Sequence, residues 1–294
     1  MKHIKLILIF LFSIFLSTNL FAQVTQEWVS RYNGPGNGSD GANSIAIDDS
    51  GNVYVTGSSE GDYLTIKYNS AGIQQWVQRY NGTGNGTDVA SSIAVDDSGN
   101  AYVTGYSAGT NYYDIVTIKY NTFGVQQWIK RYNEPADYWN YAYASALDDS
   151  GNVYVTGMRG SPTTGCNNVI TIKYNSYGVQ QWVQIWYKEY PGYPQIAEAR
   201  SIAVRESGVY VTGHCLSGDY NIVTIKYSTG GTQQWSRIYY SSIGWDCRAY
   251  SIAVDGSGNA YVTGQSMRWW PNNELRIYNN KIQCWWFSTM GTTI

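Results

Sequence analysis

The sequence predicts an all-β protein made of tandem four-stranded sheets, and three observations predict it. A pattern running from Ser44 to Gly57 returns as Ser92 to Gly105, Ser145 to Gly157, Ser201 to Gly213 and Ser251 to Gly264. A second pattern, Leu64 to Trp76, follows the first and returns as Val116 to Trp128, Ile170 to Trp182 and Val223 to Trp235. The composition suits pleated sheets joined by tight turns: 28 Tyr, 12 Trp and 31 Gly against only 14% charged residues. Trp28, Trp76, Trp128, Trp182 and Trp235 recur at steps of 48, 52, 54 and 53 residues. Periods of that length belong to stacked supersecondary units. A four-stranded sheet with two apolar faces must hide both against neighbours, and radial stacking does so; the expected fold is a β-propeller of about five repeats.

Each element of a unit follows from alternation and turn residues. Ile45 and Ile47 alternate with Ala46, and Asp49-Ser50-Gly51-Asn52 reverses the chain. Val53 and Val55 alternate with Tyr54, and Gly57 is read as the strand's stop. Leu64 to Tyr68 and Ile73 to Val77 form a second hairpin around Asn69-Ser70-Ala71-Gly72. The units are placed near 44–81, 92–133, 144–187, 200–240 and 250–266. Residues 27–32 match a unit's last strand alone, and an orphan strand there is expected to pair with the last blade and close the ring.

The phrase from Ile93 to Gly105, with its five tandem copies, resembles the bacterial SBBP-type β-propeller repeat and, more distantly, the NHL repeat. The resemblance implies an exported propeller and supplies no shared catalytic residues.

Both termini read differently from the repeats. Lys2, His3 and Lys5 precede an apolar run from Leu6 to Leu16 and a polar break at 17–19, so residues 1–22 read as a signal peptide. The expected location is extracellular or at the outer cell surface, with the periplasm as the alternative. The repeat ends after Ser266, and 267–294 read as a degenerate tail. Shifted by one nucleotide, the codons of Met290 and Gly291 must encode Trp, and Lys281 stays basic nine residues before it. Lys67 and Trp76 are also nine apart, so the tail is expected to be a frameshift product in which Trp269, Trp270, Trp285 and Trp286 carry no function.

A formal net charge of −2 offers no basic field for nucleic acid. Cys166, Cys215, Cys247 and Cys284 have no metal-knuckle or redox spacing, and neither free thiols nor a bridge is preferred. No cofactor or metal is expected: the Asp-Ser-Gly-Asn turns lack EF-hand spacing and are read as turn chemistry. Lys67, Lys119, Lys173 and Lys226 recur mid-strand and are expected to pair between blades, with Asp62, Asp114 or Asp219 as partners.

Function is expected on the face formed by the links between hairpins and between blades, because only these vary. Tyr138, Trp139, Tyr141, Trp186, Tyr187, Tyr190, Tyr193 and Trp245 are the candidate ligand-binding residues, expected to share one rim and to suit carbohydrate or an extended peptide. His214, beside Cys215, is read as a solvated loop histidine. Glu134, Asp137, Glu189, Glu198 and Asp246 are the carboxylates a glycosidase would need. The expected function is a surface binding module without catalysis. A structural or adhesion scaffold is the alternative, with a propeller hydrolase or lyase behind it.

Overall fold

A computed structural model of the chain describes residues 26–83, 85–133, 138–161, 166–188, 196–217, 219–240, 246–267 and 283–287. Residues 1–22, read above as a signal peptide, and all residues beyond 267 except 283–287 lie outside them. The first blade is β1 (Asp40–Ile47), β2 (Val53–Ser59), β3 (Asp62–Tyr68) and β4 (Gln74–Tyr80). The second is β5 (Asp88–Val95), β6 (Ala101–Ala108), β7 (Tyr113–Tyr120) and β8 (Gln126–Tyr132). The third is β9 (Asn140–Leu147), β10 (Val153–Gly160), β11 (Asn167–Tyr174) and β12 (Gln180–Trp186). The fourth is β13 (Ala197–Arg205), β14 (Gly208–Ser217), β15 (Asp219–Tyr227) and β16 (Gln233–Tyr239). The fifth holds three strands, β17 (Asp246–Val254), β18 (Ala260–Met267) and β19 (Gln283–Phe287). Every blade is an antiparallel meander in chain order, and the first strands of successive blades touch one another along a common axis. The fold is an all-β propeller, as the repeat predicts.

Local chemistry explains the hairpins. Asp48 Oδ1 accepts from the backbone N–H of Ser50 and Asn52 at 3.1 and 2.9 Å. Its Oδ2 accepts from Asn52 Nδ2 and the Tyr54 hydroxyl at 2.8 and 3.0 Å. Gly51 supplies the positive φ, 76°, that closes the turn. Asp96, Asp148 and Asp255 repeat the arrangement.

Gly57 does not stop its strand, contrary to the reading above; β2 continues to Ser59. The glycine is needed because β1 bulges between Ala42 and Ser44, bringing the Gly41 carbonyl and Ala42 Cα into the space a side chain would fill. Gly105, Gly157, Gly213 and Gly264 meet the neighbouring strand in the same way.

The core lies between blades. Tyr54 of the first blade packs with Ile93, Val103 and Ile118 of the second, and Tyr102, Tyr154 and Tyr210 repeat the contact with the third, fourth and fifth. Burying each such aromatic stabilises by about 2–3 kcal/mol. Polar staples fix the stacking: Tyr54 Oη donates to Gly99 O at 3.0 Å, and Trp76 Nε1 donates to Thr122 O at 3.1 Å. Trp128 and Trp182 donate likewise to Ser176 O and Thr229 O.

The lysine ladder does bridge blades, but its partners differ from those expected. Lys67 Nζ sits 4.8 Å from the Tyr54 ring centroid and donates to Thr122 Oγ1 of the next blade at 2.9 Å. Lys119 and Lys173 reach Ser176 O and Thr229 O. Asp62 pairs instead with Arg79, and Asp114 with Arg131, both on their own blade's outer strand. Asp219 falls where side chains are outside the description.

Segment 27–32 forms no strand and joins no sheet, which corrects the closure expectation. Trp28 lies against Tyr68 and Gly72, as Trp76 lies against Tyr120 and Gly124. It therefore holds an outer-strand place in front of the first blade, while the fifth blade shows three strands among the described residues.

Candidate active site on the propeller axis

The alternation of the first strands sets the site. Ala142, Ala199 and Ala249 are buried in the stack, and on either side of them stand Tyr141 and Tyr143, Glu198 and Arg200, and Arg248 and Tyr250, the second of each pair at the bulge in these innermost strands. In the first two blades the same register holds Gly41 and Asn43, then Val89 and Ser91, by alignment of the repeats. The third to fifth blades thus bring a charged and aromatic cluster to a position that is small elsewhere.

Glu198 is the centre of that cluster. It lies directly opposite His214 in the β13–β14 register, and His214 Nε2 donates to Glu198 Oε1 at 2.7 Å. Arg200, two residues along the same strand, places Nη2 2.8 Å from the same oxygen. Burial pushes the Glu198 carboxyl upward. The His214 hydrogen bond, the charges of Arg200 and His214 and the Arg200 hydrogen bond outweigh it and hold the group at about 2. Glu198 is an anion throughout the physiological range. Burial and the neighbouring Glu198 charge push the Tyr143 hydroxyl up, and its ring lies 4.4 Å from the Arg200 guanidinium carbon.

The cluster extends on both sides. Tyr220 meets the His214 imidazole edge-on at 5.1 Å, and the Arg248 guanidinium carbon lies 4.2 Å from the Tyr220 ring centroid. Toward the second blade, Tyr141 packs on Tyr106 at 4.7 Å and on Tyr113 at 5.4 Å. Three buried nitrogens have no hydrogen-bond partner: His214 Nδ1, Arg200 Nε and Arg248 Nε. Among the described residues no group of three His, Cys, Asp or Glu side chains is placed to hold a metal.

His214 is thus not a solvated loop residue: β14 runs past Gly213 to Ser217 and buries the imidazole at 2% exposure. Cys215 points to the opposite face, and burial pushes its thiol up to about 12, so it is no nucleophile partner for His214. Of the other carboxylates considered, Asp246 accepts from the Tyr220 backbone N–H at 3.0 Å, while Glu134, Asp137 and Glu189 lie outside the described residues.

The aromatic candidates separate into three places. Tyr138 stacks on Tyr112, which also meets Trp139 edge-on. Tyr141 belongs to the axial cluster. Trp186 is buried, and with exposed Tyr187 it lines an outer cleft of about 400 Å³ with Lys188, Arg237 and Tyr240. Tyr190, Tyr193 and Trp245 lie outside the described residues. Sequence reasoning left out Arg200, Arg248, Tyr143 and Tyr220; the signal for the first three was a change of character between repeat copies at the positions equivalent to Gly41 and Asn43, while Tyr220, on β15, had none.

No curated protein matches the sequence. Among solved structures, the periplasmic gluconolactonase PpgL of Pseudomonas aeruginosa is 12% identical, with 76% of this chain and 65% of that one covered at a TM-score of 0.46. A gluconolactonase of Xanthomonas campestris is 13% identical, with 73% and 66% covered at 0.44. A polysaccharide lyase of family PL25, an ulvan lyase, is 11% identical, with 75% and 61% covered at 0.45. The chain spans just under two thirds of the length of these proteins. At such identities the likeness concerns the fold and transfers no substrate. The expectation of a binding module without catalysis is withdrawn, since the similar structures reported are named as gluconolactonases and a lyase; they assign no activity to this chain. The sequence pattern of the SBBP beta-propeller repeat matches residues 27–63, 75–113 and 234–266. Those three segments are thus SBBP-type repeats, within a chain that folds as a β-propeller.

Proposed function

We propose that the axial cluster of the third to fifth blades is a catalytic site for proton transfer on a carboxylate-bearing sugar. The observation that carries this reading is the Glu198–His214 pair: a permanently ionised carboxylate accepts from Nε2 and leaves the buried Nδ1 without a partner. A carboxylate behind an imidazole fixes its tautomer and stabilises the imidazolium formed when the other nitrogen takes a proton. Nδ1 is then the base, Glu198 the orienting group, and Arg200 and Arg248 the cations that hold a substrate carboxylate. The tyrosines supply flat faces with hydroxyl tips, which suit pyranose rings. His214 is buried, so substrate entry displaces the Tyr220–Arg248 pair stacked beside it.

The test is turnover on a panel of uronate-containing oligosaccharides and acidic sugar lactones. His214→Gln should lower kcat by roughly 10²–10⁴-fold, the usual worth of a positioned base. Arg248→Met should raise KM with a smaller effect on kcat. No turnover on the panel, or an unchanged kcat in the His214 variant, overturns the reading.

A further inference from the structure

The two ends of the blade stack are unmatched halves of the same contact. Within the chain, Ile93 of the second blade packs under Tyr54 of the first and is 6% exposed. Its counterparts at the front of the first blade, Ile45 and Ile47, are 63% and 65% exposed. At the other end, Tyr261 is the fifth blade's counterpart of Tyr54, Tyr102, Tyr154 and Tyr210. Those four are fully buried, whereas Tyr261 is 39% exposed. Each free flank thus presents the half of the interface that its opposite number completes inside the chain.

The strand inventory is complementary as well. Among the described residues the fifth blade has three strands, with β19 the last. The front of the first blade already carries an outer-strand substitute, because Trp28 packs on Tyr68 beside Gly72, and Tyr32 packs on the same apolar cluster. Among the described residues, no inner strands stand in front of the first blade and no outer strand follows β19 in the fifth.

We infer that the front of the first blade docks the fifth blade of a second copy of this chain, with segment 27–32 of the first copy serving as that blade's outer strand. The occupant is a second copy because in the structure neither flank covers the other, and because only an SBBP-type blade carries the aromatic, Asp-braced counterpart that Ile45 and Ile47 fit. The contact is front to back, so each copy keeps one free flank and association is open-ended.

The experiment is sedimentation velocity on the chain beginning at Gln23, with two variants at exposed positions that leave the other blades untouched. Ile45→Glu with Ile47→Glu blocks the front, and Tyr261→Glu blocks the back. The unmodified chain should show concentration-dependent oligomers larger than a dimer, and each variant alone should be monomeric. An equimolar mixture of the two variants should yield a discrete dimer, because one unblocked front and one unblocked back remain. A monomeric unmodified chain overturns the inference and indicates ring closure on itself. Variants that still self-associate, or a mixture that stays monomeric, overturn it equally. A correct result here with a failed turnover assay, or the reverse, separates this contact from the axial-site reading.

Discussion

Replacing Glu198 by Gln should remove a pH-dependent share of stability that can be worked out from the site. The folded carboxyl is held at about 2, below its ordinary value of 4.5, so its charged form stabilises the fold. A difference of that size corresponds to about 3 kcal/mol at neutral pH. The side chain is 14% exposed, so solvent screening takes away little of this. Because the folded value lies below the unfolded one, the contribution is complete above about pH 4.5 and is lost as pH falls toward 2. Urea unfolding of the natural chain and of Glu198→Gln at pH 7, 5, 4 and 3 measures this directly. The gap between the two should be a few kcal/mol at pH 7 and should shrink to less than half by pH 3. The other carboxylates are present in both proteins and cancel in the difference. A gap independent of pH would show that Glu198 is not an ion held by His214 and Arg200, and the account of the axial site would fall with it.

Three further outcomes follow from the packing. Asp96→Ala strips one carboxylate from the backbone N–H groups of Ser98 and Asn100, the Asn100 amide and the Tyr102 hydroxyl, and should cost about 2–4 kcal/mol in chemical denaturation. Its exposed neighbour Asp97→Ala should stay within about 0.5 kcal/mol. Gly157→Ala puts a methyl group into the Tyr141 carbonyl and Ala142 Cα, and should lose about 3 kcal/mol or fail to fold, read by thermal melting. Trp128→Phe keeps an aromatic ring but loses the indole donor to Ser176 O, and should cost about 1–2 kcal/mol by urea titration.

The blade architecture was legible because it repeats. Five copies of one alternating hairpin pointed to the strand count per blade, and the Asp-Ser-Gly-Asn of the first three copies announced a turn whose hydrogen bonds come from the aspartate before it, Asp48, Asp96 or Asp148, as from Asp255 in the fifth. The same regularity misled at Gly57 and Gly213. A glycine after a period-2 run reads as a strand end, whereas here it makes room for a bulge in the adjacent strand, and the strand continues. That one misreading hid His214, which lies immediately after Gly213 and was consigned to a loop.

The axial site was hard to read for a related reason. Glu198, Arg200 and Arg248 alternate with alanines, a pattern shared by any strand with one wet face, and nothing in it separates the axis from the bulk solvent. Comparing copies at fixed register would have singled them out, since Gly41 and Asn43 stand in the equivalent places of the first blade. The aromatic loops drew attention through bulk alone, and of their described members only Tyr141 is placed in the cluster around Glu198. Ring closure was not legible at all, because the rotation between blades is set by packing of side chains from different repeats.

The most direct test of the axial site uses nitrogen NMR on its one histidine. The sequence contains His3 and His214, so the chain beginning at Gln23 yields a single imidazole. At pH 7.5 the account predicts one fixed tautomer, with Nε2 protonated against Glu198 and Nδ1 a bare acceptor whose resonance moves on saturation with a uronate oligosaccharide. A proton on Nδ1 with Nε2 bare, rapid exchange between tautomers, or an Nδ1 signal indifferent to the sugar would contradict it.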